Sequence, residues 1–291
     1  MLITNCQLSS QQLGDLEQLR QRCKKIDGND IPIYPNLLTQ QRPTPSNLLL
    51  YEQSQLIGFL SLFFFYENGC ELILLVDPDW RRLGLARKLI QAIIPLLRIE
   101  KIKRIILPAP TKCGQPWLPA QGFTYEHSEY ELTLPANHIL TPIKPRLIVR
   151  DTMLTDTAVI ASIDAACFPT GSPPPIAHFQ QLIKNPSYTI LLAFLKQQAI
   201  GKVHIFWGEN CCRLSDIGIL PQQQNEGYGS EMLYSCINYI QNKQKFPIHL
   251  DVETSNHSAL NLYYRLGFKI NNACDYWVTS FYGISRLVSG V

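Results

Sequence analysis

The sequence predicts an α/β protein of two similar domains in tandem, each a mixed sheet with helices on both faces. Three observations carry this. An apolar strand, a proline, a polar glycine turn and an amphipathic helix follow one another at residues 213–240. The same unit occurs 143 residues earlier, with Pro78 on Pro221 and Gly84 on Gly227. The strand order around both units also repeats, so the chain reads as a duplication.

In chain order, a polar-capped helix is expected over residues 9–25, with Leu13, Leu16 and Leu19 on one stripe. Residues 27–47 hold four prolines and read as a functional surface loop. Strands follow at 48–52, 56–66 and 71–76 as a meander with a polar turn at 53–55. The helix after the first turn carries Leu89, Ile90, Ile93, Ile94 and Leu97, which fall on Met232, Leu233, Cys236, Ile237 and Ile240 of the later helix. Gly58 falls on Gly201 at the same offset. Pro135, Pro142 and Pro145 interrupt periodicity, so the boundary is expected at residues 135–145, with domains at 1–134 and 146–291. Beyond it come a strand at 146–150, a helix capped by Thr155 that reaches Cys167, a proline-rich loop at 168–175 and a helix at 176–184. Strands at 188–194, 199–207 and 248–253 complete the second copy.

Apolar residues make up 46% and charged residues 17% of the 291 residues, and the net charge is +3, which excludes a disordered acidic chain and a broad basic nucleic-acid face. Nine scattered cysteines without a Cys-x-x-Cys pair read as reduced core thiols rather than a disulfide framework or a metal site. The amino terminus lacks the pattern of a signal peptide, and the segment 56–66 is too short to span a bilayer. A cytoplasmic protein without nucleic-acid or membrane partners is expected, as a monomer with pseudo-two-fold domains or as a homodimer.

The turn is an anion cradle in composition. Gly227 and Gly229 let the backbone approach a ligand, and the helix they open offers unpaired N–H groups and its positive dipole end to a phosphate. The second half closes with Asp251-Val-Glu253-Thr-Ser-Asn256-His-Ser-Ala-Leu-Asn-Leu-Tyr263-Tyr-Arg-Leu-Gly267-Phe268. Together with the strand–Pro–Gln-x-x-Gly-x-Gly–helix unit, this stretch resembles the GCN5-related N-acetyltransferase (GNAT) family. Residues 251–268 look most like the ribosomal-protein alanine N-acetyltransferases, whereas the tandem arrangement resembles the mycothiol synthases, whose C-terminal domain is the catalytic one.

The resemblance implies a mostly antiparallel sheet and acetyl-CoA as acyl donor, with an amine as acceptor. It assigns the donor to Ile217 and Ile219 on the strand, to Gln224, Asn225, Glu226, Gly227, Tyr228, Gly229 and Ser230 at the turn, and to Asn256 and Tyr263 at the thioester end. Tyr263 is the expected general acid, because a phenol can hand its proton to a departing thiolate without being ionised at rest. Asp251 and Glu253, two apart on one strand, share a face and are the expected bases; a solvated strand end is the alternative for Asp251. Asp216 is a third carboxylate within reach, which the resemblance does not place. The N–H of Ile219 is the expected oxyanion donor. His249 and His257 carry no assigned role.

The first copy departs from this pattern. Its cradle is present as Leu74, Val76, Arg81, Arg82, Leu83, Gly84, Leu85, Ala86 and Arg87, a second expected coenzyme A site. Counting back from Gly122-Phe123, however, Trp117-Leu118 stands where Leu262-Tyr263 stands in the second copy. Leucine has no proton to donate. Arg81, Arg82, Arg87 and Lys88 surround the first turn, while no cation lies between Arg213 and Lys243, so the first cradle is expected to hold coenzyme A more tightly.

Overall fold

The computed structural model describes residues 1–111, 117–136, 138, 140, 144–169 and 174–289. Its elements in chain order are β1 (Leu2–Asn5), α1 (Ser10–Asp27), α2 (Pro35–Leu38), β2 (Asn47–Glu52), β3 (Gln55–Tyr66), β4 (Gly69–Val76), α3 (Leu85–Ile99), β5 (Arg104–Pro110), α4 (Trp117–Ala120) and β6 (Thr124–Leu134). The second half adds β7 (Leu147–Asp151), α5 (Thr157–Cys167), α6 (Ile176–Lys184), β8 (Tyr188–Leu195), β9 (Gln198–Trp207), β10 (Cys212–Ile219), α7 (Tyr228–Asn242), β11 (Ile248–Glu253), α8 (His257–Arg265), β12 (Lys269–Ser280) and α9 (Phe281–Ser289).

Contacts group these elements into two compact units, Met1–Glu129 with Asn272–Val291, and Tyr130–Asn271. The first unit has the strand order β1-β2-β3-β4-β5-β12, the second β7-β8-β9-β10-β11-β6. In the first, β4 and β5 run parallel and the other pairs antiparallel. In the second, β10 and β11 are the parallel pair and β7 to β10 form an antiparallel run. The two orders are the same, and each unit takes its sixth strand from the other half of the sequence. The repeat places a boundary at 135–145; strand pairing groups the chain differently, because β12 pairs with β5 from Cys274↔Pro110 to Ser280↔Arg104.

Each sheet buries both faces. In the first unit α3 and α9 cover one face through Leu89, Ile93, Ile284 and Leu287, and α1 covers the other through Leu16, Leu19 and Cys23. In the second unit α7 covers one face through Met232, Leu233, Cys236 and Ile240, and α5 and α6 cover the other through Ile160, Ile163 and Phe179. Local signals explain the ends of α1. Ser9 and Gln12 form a reciprocal capping box, and Gly28, at φ 78°, closes the helix with its N–H on the Lys24 carbonyl.

The expected elements lie within two residues of their observed bounds. Two features differ. The loop at 27–47 contains the one-turn α2. Thr155 lies inside a 3₁₀ turn (Leu154–Asp156) and does not cap α5; Asp156, held by Arg150 at 2.8 Å, receives the Met153 N–H instead. Residues 170–173 of the expected loop at 168–175 lie outside the described residues, as do 137, 139 and 141–143 of the boundary stretch. No helix among the described residues is long and apolar enough to cross a membrane.

Candidate active site

The turn after β10 and the turn after β4 have the same backbone. Gln224 has φ −72° and ψ 162°, Arg81 φ −69° and ψ 161°. Asn225 and Arg82 follow at φ 65° and 63°, then Gly227 and Gly84 at φ 84° and 78°. These left-handed angles explain the glycines, and asparagine tolerates them better than most residues. Side chains reinforce the match: Gln224 donates to the Ile219 carbonyl at 2.9 Å, and Arg81 donates to the Val76 carbonyl at 3.1 Å. The first helical bonds are Glu231 N–H to Gly227 and Lys88 N–H to Gly84. Among the described residues, the main-chain N–H groups of 225–230 and of 82–87 therefore make no hydrogen bond. Each turn points a row of free donors and a helix N-terminus at one place, which suits a diphosphate.

Behind each turn the sheet opens. The parallel ladder joins β10 to β11 only from Cys212↔Ile248 to Leu214↔Leu250, and the strands then part. In the first unit β4 and β5 part after Glu71↔Ile106. Leu220 donates to the Ile200 carbonyl, so by alternation along β10 the Ile219 N–H faces the edge that β11 has left. Gly201 makes this closeness possible, since a Cβ there would stand 2.4 Å from Ile219 Cδ1. The units differ at one point. Between Ser215 and Gly218 the β9–β10 register shifts, and Asp216 takes φ 49° in this bulge. The β3–β4 ladder runs without a shift from Gly58↔Val76 to Phe63↔Glu71.

Tyr263 lies on the inner face of α8, buried, with its ring 5.9 Å from that of Phe268. Its hydroxyl makes no hydrogen bond to a described residue, and burial pushes its pKa up to about 12, so it is protonated throughout the neutral range. Asn256 caps α8, its side-chain oxygen accepting the Ala259 N–H at 3.1 Å, which leaves its amide NH₂ free of the helix. On β11, Val252 and Leu250 enter the core while Asp251 and Glu253 are exposed on the opposite face. Asp251 is ion-paired to Arg213, which also holds Glu131 at 2.7 Å. Glu253 is at the strand end. His249 contacts Thr133 Oγ1 at 3.0 Å, and burial lowers its pKa.

Charge around the two cradles is not distributed as the linear sequence implies. Arg81 makes a bidentate pair with Asp27, both contacts at 2.7 Å, so its guanidinium is committed to holding α1 against the turn rather than to an incoming phosphate. Arg82 and Arg87 are exposed. In the second unit Arg146, far outside the 213–243 window, reaches the turn. It donates to the Glu226 carbonyl at 2.7 Å and to Glu231 at 2.6 Å, and its guanidinium lies 4.5 Å from the centre of the Tyr228 ring. Glu231, in the first turn of α7 where a diphosphate would meet it, is thereby neutralised.

One group of polar residues lies beneath the bulge. Lys202 and His204 project from β9 to the face covered by α5 and α6, and Lys202 is fully buried. Its Nζ is 2.7 Å from Asp164 Oδ1 and 3.2 Å from His204 Nε2; His204 Nδ1 is 3.4 Å from Asp216 Oδ2. Two polar residues at period two inside the apolar stretch 199–207 were the available signal.

The profile of the acetyltransferase (GNAT) family matches residues 13–123 and again 157–268. A Bacillus subtilis (strain 168) protein assigned as a ribosomal protein bS18 alanine N-acetyltransferase is 24% identical over 127 residues, 44% of this chain and 83% of its own. Among solved structures, a GCN5-related N-acetyltransferase from Sphaerobacter thermophilus matches with a TM-score of 0.80 at 14% identity, covering 96% of both chains. A tandem GNAT protein from the clavulanic acid biosynthesis pathway matches with a TM-score of 0.72 at 11% identity, covering 97% of this chain and 98% of its own. The repeated cradle thus coincides with a repeated family domain, and the chain belongs to the acetyltransferase (GNAT) family, an acyltransferase with two copies of that fold in tandem.

Proposed function

We propose that the second unit transfers an acetyl group from acetyl-CoA to a primary amine by direct attack, and that the first unit retains a coenzyme A cradle without turnover. Acetyl-CoA, the co-substrate of the family, supplies an activated thioester. The observation that carries the proposal is the free N–H row at 225–230 beside the open edge at Ile219; Tyr263, buried on α8 with no hydrogen bond from its hydroxyl to a described residue, is the acid.

The residues divide the work. Asn225, Glu226, Gly227, Tyr228, Gly229 and Ser230 hold the diphosphate through main-chain donors, and Gln224 fixes the turn. Ile217 and Ile219 offer a strand edge to the pantetheine arm, and the Ile219 N–H meets the developing oxyanion. The ammonium of the acceptor loses one proton to a carboxylate on the same sheet face, Asp251 or Glu253, directly or through water. As the C–N bond forms and the C–S bond breaks, the second amine proton replaces the one that Tyr263 gives to the sulfur, so one proton is released per turnover. In the first unit Leu74, Val76, Arg82, Leu83, Gly84, Leu85, Ala86 and Arg87 offer the same cradle, but Leu118 is a buried core residue where the acid would stand.

A small amine is the acceptor we favour, because the tandem arrangement resembles the mycothiol synthases and matches a tandem GNAT protein from the clavulanic acid biosynthesis pathway. A protein N-terminus is the second reading, on the strength of the Bacillus subtilis relative. Full-length protein with acetyl-CoA, assayed for free thiol against primary amines and alanine-initiated peptides, separates the two. Release with small amines alone supports the first, release with peptides alone the second. No acceptor-dependent release with either would overturn the enzyme reading of the second unit and leave an acyl-CoA-binding scaffold.

A further inference from the structure

We propose that Asp216 is the carboxylate that captures the acceptor ammonium and takes its first proton, and that Asp164, Lys202 and His204 form a buried column that holds it in place. This rests on the reading of the second unit given above and puts Asp216 in the role assigned there to Asp251 or Glu253.

Position comes first. The cradle at 225–230 and the open edge at Ile219, Gly218 and Ile217 lead back along β10 to the point where β10 and β11 part, just after Leu214. Asp216 stands in the bulge at that point, with a left-handed backbone that turns its side chain out of the strand alternation. Its carboxylate is half exposed, and Ser215 Oγ donates to Oδ2 at 2.7 Å. The end of α5 presses on the strand here: a Cβ on Gly218 would lie 2.9 Å from Cys167 Cβ and 3.4 Å from Phe168. The bulge thus lies beside the end of α5, at Cys167 and Phe168.

The column explains why a lysine is fully buried in this sheet. A buried ammonium is costly unless paired, and Asp164 pairs it at 2.7 Å, with the rings of Phe168 and Phe179 5.2 and 6.0 Å from Nζ. A second Lys202 proton points at His204 Nε2. Because an ammonium can only donate, Nε2 must accept, so the imidazole is the Nδ1–H tautomer and presents that hydrogen to Asp216 at 3.4 Å. The contact is longer than a close hydrogen bond, leaving Oδ1 and Oδ2 able to close on an ammonium. His204 is kept neutral by burial and by Lys202. Among the described residues, the other titratable groups around the column are His178 of α6, Tyr188 of β8 and Cys167 of α5. Asp216 is therefore the end of the column that can accept a proton, which returns to water after acyl transfer. His204 and Lys202 are positioning residues.

The two β11 carboxylates are differently placed, Glu253 at the very end of the strand. Asp251 is locked to Arg213, a permanent cation that an incoming ammonium would have to displace. Among the described residues, Asp216 has no Lys or Arg partner to exchange.

The test uses full-length protein and the most active amine of the panel above. Asp216→Asn should lower kcat/KM for the amine by about 100-fold while leaving the calorimetric Kd for acetyl-CoA unchanged. His204→Phe should lower it by about 10- to 100-fold and shift the acid limb of the pH–rate profile. His204→Asn, which places an N–H donor where Nδ1–H stood, should recover most of that loss, a rescue that a packing role would not give. ¹⁵N spectra of the free protein should show His204 as the neutral Nδ1–H tautomer between pH 6 and 8. Asp216→Asn with undiminished kcat/KM, or an Nε2–H tautomer for His204, would overturn this inference and leave the site itself standing. Loss of acetyl-CoA binding in Asp216→Asn would instead show a folding or donor-site defect, and Asp216→Glu, which should keep acetyl-CoA binding and at least a tenth of the activity, then decides; an inactive Asp216→Glu that binds acetyl-CoA normally also overturns it. A panel without any acetylated amine would remove the parent reading, and this one with it.

Discussion

Arg81, Arg82 and Gly84 in the first unit and Gln224, Asn225 and Gly227 in the second adopt matching backbone angles. The sheet faces beneath them are unlike. Lys202, His204 and Asp216 in the second unit correspond by offset to Phe59, Ser61 and Ile73 in the first. Phe59 and Ile73 are buried among apolar neighbours, and Ser61 Oγ donates to Asn47 Oδ1 at 2.8 Å in a network anchored by Arg42. The bulge is absent there as well, because Ser61 pairs directly with Ile73. A cradle made of main-chain donors needs a glycine, a proline and a left-handed residue, and it survives changes of every other side chain. Acid–base chemistry needs particular side chains, and the first unit has replaced them with core.

The largest effect expected from this comparison is kinetic. Tyr263→Phe should lower kcat by about 100-fold and weaken acetyl-CoA binding far less, whereas Leu118→Tyr in the first unit should add no turnover to the Tyr263→Phe background. Steady-state rates on the single and double variants check both. Activity restored by Leu118→Tyr would break the assignment of chemistry to one unit.

A stability effect comes next. Lys202→Met leaves Asp164 buried without its partner and should cost about 3–5 kcal/mol in denaturant unfolding. Adding Asp164→Leu, which makes the second unit apolar as the first is at Phe59, should recover most of that loss while the protein stays inactive. The pH dependence has the same origin. Burial lowers the His204 pKa, so the unfolded chain binds a proton there before the folded one does. This contribution is complete above the ordinary histidine value of about 6.5 and is lost as pH falls from there to the folded value of about 4. Melting temperatures should drop below that pH in the wild type and drop less in His204→Phe. A smaller effect is expected at the first cradle, where Arg82 is exposed: Arg82→Ala should weaken one class of coenzyme A sites by at most about fivefold without changing turnover.

The cradles, their strands and their helices were legible in the sequence, because proline, glycine and a 3.6-residue apolar period are local signals. What sequence missed was nonlocal. Arg146 reaches Glu231 across 85 residues, so a window around the turn shows a cradle without a cation. The exchange of β6 and β12 follows from pairing partners, and neither strand has a capping or turn signature that names its neighbour. Trp277, Ile284 and Leu287 complete the core of the first unit from the end of the chain, so the domains expected at 1–134 and 146–291 do not each carry their own core. For that reason the tests above use the full chain.

The central claim is that turnover belongs to the second unit although both carry a cradle. Gly229 and Ala86 occupy the same place in the first turn of α7 and α3. A Cβ at Gly229 meets nothing closer than Leu262 at 3.4 Å, and a glutamate in a first helical turn favours the helix while repelling a diphosphate. Measuring kcat/KM for acetyl-CoA on full-length Gly229→Glu and Ala86→Glu therefore separates the units. The account predicts a loss of about 100-fold or more in Gly229→Glu and a value within about twofold of wild type in Ala86→Glu. The reverse order, or equal losses in both, would contradict it.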